Sequence, residues 1–188
     1  MFNQRIIELL IEQLLAEIDP DYERQGLKET PKRVAKSYTE LFNGYEIDID
    51  KLFTSFDGEG IDQIVALRDI GFTSFCEHHL LPFSGFVHIA YLPDDKVIGA
   101  SKLARITLAY AHRLQIQERI TQQIAETLMQ KLEPLGVAVI IEATHLCIKC
   151  RGVRSEHSNF VTSVMLGKFR ENENVKQEVL ALLGLTKK

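Results

Sequence analysis

Ile6, Leu9, Leu10, Leu14 and Ile18 recur every three or four positions, a spacing that places them on one face of a helix, with Asn3 standing where a cap belongs. A second helical period runs through Val34, Tyr38, Leu41 and Phe42. It opens at Thr30-Pro31, with Thr30 as cap and Pro31 at the first helical position, and it closes at Gly44. Gly58-Glu59-Gly60 is a turn, and we place there the division between an amino-terminal helical appendage, residues 1–58, and a core, residues 59–188. Beyond it the period shortens. Residues 63–70 and 86–92 are β-prone, the second followed by a turn at Pro93-Asp94-Asp95. Helical spacing returns over 102–112 and 117–132 and ends before Pro134 and Gly136. Strands are expected over 137–143, 145–150 and 159–166, and a short helix over 174–183. This order predicts an α+β fold, an antiparallel sheet with helices gathered on one face, plus the amino-terminal helical pair.

Composition narrows the classes of partner. At 188 residues the chain can bury a substantial core and carry an appendage. A net charge of -4 argues against a broad nucleic-acid surface held by phosphate contacts. The start, Met1-Phe2-Asn3-Gln4-Arg5, lacks a signal-peptide layout, and the longest apolar run, near 137–141, is too short to span a bilayer. A soluble, cytoplasmic protein without nucleic-acid or membrane partners is expected. Three cysteines cannot form a full disulfide set, which fits a reducing compartment, and Cys150 is the spare one.

Candidate chemistry concentrates in two segments, Cys76-Glu77-His78-His79 and His145-Leu146-Cys147. Two thiolates and an imidazole suit zinc, and three protein ligands leave a fourth position open to water. A lone C-x-x-H pair is weak, and Cys147 lies in an apolar stretch where free cysteines often serve as small core residues. His145 stands two residues before Cys147. On an extended strand such residues face one side, which would place a second imidazole beside the metal to carry protons.

Gly99-Ala100-Ser101-Lys102 opens a helix with Ser101 as the expected cap, and Lys102 and Arg105 share a face. A helix start with two cations suits a phosphate chain, although an ordinary capped helix with solvated cations accounts for the same residues. Arg151, downstream of Cys147, adds a cation, and Gly152 allows close backbone approach. Glu118 sits at a helix start, where the dipole alone favours a carboxylate. The functional alternative is that it accepts the adjacent ring N–H and amine of guanine, a donor pair that adenine lacks.

Taken together, Cys76-Glu77-His78-His79-Leu80-Leu81-Pro82-Phe83, Ser101-Lys102, Gln117-Glu118-Arg119, His145-x-Cys147-x-x-x-Arg151-Gly152 and the upstream Glu29-Thr30-Pro31-x-Arg33-Val34-Ala35-Lys36 resemble GTP cyclohydrolase I. The resemblance runs from about residue 27 to the end. It implies a tunnelling fold, a homodecamer of two pentamers with sites built between subunits, and conversion of GTP and water to formate and 7,8-dihydroneopterin triphosphate. It further implies Zn2+ held by Cys76, His79 and Cys147, and proton transfer by His78 and His145, with Ser101 assisting the sugar steps. Glu118 and Gln117 would lie at the base, and Lys102, Arg105, Arg151 and Arg33 along the ribose triphosphate.

Residues 154–160, Arg-Ser-Glu-His-Ser-Asn-Phe, depart from the family's serine- and threonine-rich run at this point, which bears on loop shape and substrate affinity rather than on the ligands. Three other readings compete. A zinc nucleobase deaminase would need H-x-E and P-C-x-x-C signatures that are missing here. A nitrile reductase of deazaguanine metabolism would use a nucleophilic cysteine without zinc. The non-enzyme alternative is a structural-zinc or purine-binding assembly protein of the same fold.

Overall fold

The computed structural model describes residues 3–185; Met1 and Phe2 of the amino-terminal stretch lie outside the described residues. Helix α1 spans Gln4–Ile18, and the Asn3 side chain accepts from the Arg5 and Ile6 N–H groups, as expected of a cap. Its apolar residues Ile6, Leu9, Leu10, Leu14 and Ile18 all stay exposed within the single chain. Helix α2 spans Thr30–Leu41. Its cap is Glu29 rather than Thr30, so Thr30 is already helical and Pro31 sits in the first turn, where its missing N–H costs nothing.

The stretch before Gly58 is not wholly helical. A 3₁₀ turn, Asn43–Tyr45, seats on the core, with Gly44 N–H donating to His112 O at 3.1 Å. A short helix α3, Ile49–Leu52, leads into strand β1, Ser55–Asp57, which pairs antiparallel with β4, Lys96–Ile98.

The main sheet is built from β2 (Val65–Cys76), β3 (Pro82–Leu92), β5 (Leu114–Gln115), β6 (Gly136–His145) and β7 (Phe160–Gly167), in the order β5-β2-β3-β6-β7. Four strands pair antiparallel as expected, but β5 runs parallel to β2, with Cys76 opposite Gln115. Strand β2 is longer than the β-prone run 63–70 because a bulge between Leu67 and Ile70, with Asp69 at φ 57°, shifts its register. The bulge resets the alternation and hides the second half of the strand from pattern reading. Gly85 is required by close approach, since a Cβ there would lie 1.9 Å from Glu142 O on β6.

Helices α4 (Ala100–Ala111) and α5 (Gln117–Leu132) cover one face. Leu103, Ile106, Ile120, Ile124 and Leu128 pack there on Val87, Ile89, Val137, Val139 and Ile141. The other face is covered as well, which departs from the one-faced arrangement: Phe169 of α7 (Lys168–Glu171) and Val179 of α8 (Glu173–Leu182) pack on Ala90, Ala138 and Ile140. Two covered faces explain why β3 is buried continuously from Val87 to Tyr91 instead of alternating. The mixed α+β class stands. Among the described residues no helix is long and apolar enough to cross a membrane.

Candidate active site

Cys76 is the last residue of β2, and its carbonyl accepts from the His79 and Leu80 N–H groups at 3.2 and 2.9 Å. This tight turn, with Leu80 at φ 53°, folds His78 and His79 back over the strand end. Both histidine Nδ1 atoms stand near Cys76 Sγ, His78 at 3.8 Å and His79 at 3.7 Å.

The second segment differs from expectation. Residues 145–150 do not form a strand: His145 ends β6, and Cys147 lies in the short helix α6, Leu146–Lys149. Same-face strand spacing therefore does not relate the two, yet both line one cavity because the chain turns from strand to helix at its wall. One ligand atom from each of Cys76, His79 and Cys147 lies within 4.8 Å of the others. A tetrahedral ion with bonds of about 2.0–2.3 Å holds its ligands roughly 3.3–3.8 Å apart. The Cys76–His79 pair already has that spacing, and the remainder close by about an ångström at most. Two sulfurs, one buried and one half-buried, and the nitrogen of an exposed imidazole fit a thiophilic metal ion.

Burial raises the Cys147 thiol pKa, and the neighbouring Cys76 raises it further. Two adjacent thiolates repel, and a cation between them removes that penalty. Arg151 Nη1 lies 2.8 Å from His79 Nε2, placing a guanidinium at the edge of the site.

His145 is held on three sides. Its ring stacks on Phe83, centroids 4.4 Å apart and planes within 6°, and Phe160 meets it edge-on at 5.4 Å. Its Nε2 lies 2.9 Å from Gln117 Oε1. Because Gln117 Nε2 faces the acceptors Ile141 O, Phe160 O and Thr162 Oγ1 at 2.9–3.1 Å, its oxygen is the end presented to His145, and the imidazole N–H donates. Burial lowers the pKa of His145, and the Glu118 carboxylate acts in the opposite direction.

The cavity has a volume of about 230 Å³ and is lined by the two cysteines, His78, His79, His145, Gln117 and Glu118, closed by Phe83, Phe160 and Ile116. Gln117, expected beside Glu118 at the base, is fully buried with its amide committed to His145 and the sheet. Glu118 stands exposed at the start of α5. Ser101, Lys102, Arg105 and Arg33 do not line the cavity. The expected cap of α4 is also displaced, since Gly99 occupies that position and Ser101 lies exposed in the first turn. A larger open depression of about 880 Å³ near Phe86, His112 and Glu142 contains no such ligand set.

Sequence reasoning missed the aromatic walls. Phe83 stood in the quoted motif without a role, and Phe160, part of the departing 154–160 run, reaches the site directly. Neither carries a chemical signal until β3 and β7 bring it beside His145.

With this geometry in place, comparison decides the family. The family model for GTP cyclohydrolase I matches residues 7–184. The chain belongs to the GTP cyclohydrolase I family. GTP cyclohydrolase 1 of Synechococcus sp. (strain JA-2-3B'a(2-13)) is 50% identical over 175 residues, covering 92% of this chain and 76% of that protein. Its counterpart from Gloeobacter violaceus is 51% identical over 172 residues, covering 90% and 80%. That of Streptococcus suis (strain 05ZYH33) is 47% identical over 184 residues, covering 97% and 98%. The chain is an enzyme of the GTP cyclohydrolase I family, with GTP as the family's substrate. The non-enzyme reading gives way to that membership.

Proposed function

We propose that the protein converts GTP and water to formate and 7,8-dihydroneopterin triphosphate, using Zn2+ held by Cys76, His79 and Cys147. The convergence of these three side chains from two distant segments, beside a buried imidazole, carries the reading. Zinc bound there supplies Lewis acidity that activates water at neutral pH.

The remaining roles belong to the chain's own groups. Glu118, at the positive end of α5, accepts the adjacent N–H donors of the guanine edge. His145 keeps its Nε2 proton toward Gln117 and offers its other ring nitrogen for proton transfer, while Phe83 fixes the ring plane. His78, exposed on the ligand turn, serves the ribose end with Ser101. Lys102, Arg105, Arg151 and Arg33 neutralise the triphosphate.

Small-molecule pockets usually measure roughly 300–1,000 Å³, so about 230 Å³ accommodates the base end of the nucleotide better than all of it. Together with the absence of Ser101, Lys102, Arg105 and Arg33 from its lining, this supports a site completed by a neighbouring subunit. Such a site belongs to a homodecamer of two pentamers with the tunnelling fold, acting in the cytoplasm.

Incubating zinc-loaded protein with GTP and with ATP tests the proposal. Formate and a fluorescent oxidised pterin should appear in equal amounts from GTP, with little from ATP. Glu118→Ala should lower kcat/KM for GTP by roughly tenfold to a hundredfold, the loss expected of a charged acceptor. Equal turnover of both nucleotides would overturn the assignment of the base site.

A further inference from the structure

Glu77 lies inside the ligand turn, yet it points to α5. Its carboxylate takes a two-pronged contact from Arg119, Nη1 to Oε2 at 2.6 Å and Nη2 to Oε1 at 3.1 Å. The same Nη1 reaches Gln115 Oε1 at 3.4 Å. Gln115 is buried, and its amide nitrogen donates to Tyr110 O at 3.0 Å and to Gln123 Oε1 at 2.9 Å. Its backbone carbonyl accepts from Glu77 N–H at 3.0 Å. One residue of β5 thus grips the carboxylate's backbone and the guanidinium together.

We propose that Glu77 and Arg119, anchored by Gln115, are positioning residues for the reaction. They lock the turn carrying His78 and His79 to the first turn of α5, which carries Gln117 and Glu118. Metal ligand, proton-transfer group and base acceptor thereby keep one spacing. The inference rests on the proposed roles of those residues.

The ion pair is half exposed, with side-chain exposures of 42% for Arg119 and 32% for Glu77. Pairs of this kind contribute little to global stability. Their two-pronged geometry, by contrast, fixes orientation, and lysine cannot reproduce it.

The test compares parent, Glu77→Gln, Arg119→Met, Arg119→Lys and the Glu77→Gln/Arg119→Met double variant. Zinc release to a chromogenic chelator, kcat and KM for GTP, melting temperature and native mass are measured for each. Every single variant should keep its native mass and melt within about 3 °C of the parent. Each should release zinc about tenfold faster and lose about tenfold in kcat, with KM changed less than about threefold. Arg119→Lys should behave like Arg119→Met, and the double variant should be no worse than the worse single one, as expected of groups acting as a unit. Zinc release and kcat both within twofold of the parent, additive losses in the double variant, or losses that follow a fall in melting temperature would each overturn the inference. A parent that neither holds zinc nor releases formate would instead remove the proposed function on which it rests.

Discussion

His145 shows how much of the site's chemistry is set by its surroundings. A free imidazole titrates near neutrality; here burial between Phe83 and Phe160 lowers its pKa, so the neutral form is favoured at physiological pH. Gln117 fixes which nitrogen carries the proton. His145→Ala should retain zinc and native mass while dihydroneopterin triphosphate formation falls by about a hundredfold or more, within the range for lost acid–base catalysis. Metal analysis beside product chromatography checks this. Loss of zinc would make His145 a ligand, and near-normal product formation would leave it a packing residue. The sequence displayed the chemical groups of this site plainly, because thiols and imidazoles at short spacing are rare. It did not display Gln117's partners, which come from β6 and β7, more than twenty residues away in the chain.

Among the elements, legibility followed length and regularity. The long periodic helices α1, α4 and α5 and the apolar core of β6 were readable because each satisfies one period over many residues. The bulged β2, the two-residue β5 and the four-residue α6 were not, since tertiary pairing rather than local pattern creates them. The seating of the Asn43–Tyr45 turn on α4 belongs to this class and has a titratable consequence. His112, at the end of α4, donates from Nδ1 to Asn43 Oδ1 at 3.0 Å, and burial lowers its pKa while Glu40 acts in the opposite direction. The unfolded chain therefore binds more protons than the folded one as pH falls below about 6.5. Stability from this group is complete above that value and declines toward the folded pKa. Urea titrations at about pH 7.5 and pH 5.5 should show a larger loss for the parent than for His112→Gln, which cannot titrate. Parallel losses would mean that the seating is insensitive to charge on His112.

For the whole molecule, the single chain leaves two things incomplete. The apolar face of α1 is uncovered, and Lys102, Arg105 and Arg33, three of the four cations expected to bind triphosphate, do not line the cavity that holds the metal ligands. Both are accounted for if neighbouring subunits complete each other's sites. Arg33→Ala and Cys147→Ala should then each be nearly inactive alone. Dissociated and reassembled together, they should regain up to about a quarter of parent activity, since a fraction of mixed sites draws its intact Arg33 and its intact Cys147 from different chains. Absence of any recovery in assemblies of confirmed mixed composition would place Arg33 and Cys147 in the service of one chain's site.

The central claim, that a divided Cys76, His79 and Cys147 set holds the zinc on which GTP turnover depends, is tested most directly by measuring zinc content and formate release together in the parent and in Cys147→Ala. The parent should hold about one zinc per chain and release formate from GTP, while the variant loses both and remains folded on its own core. Formate release at the parent rate from metal-free protein, or a zinc-loaded and fully active Cys147→Ala, would contradict it.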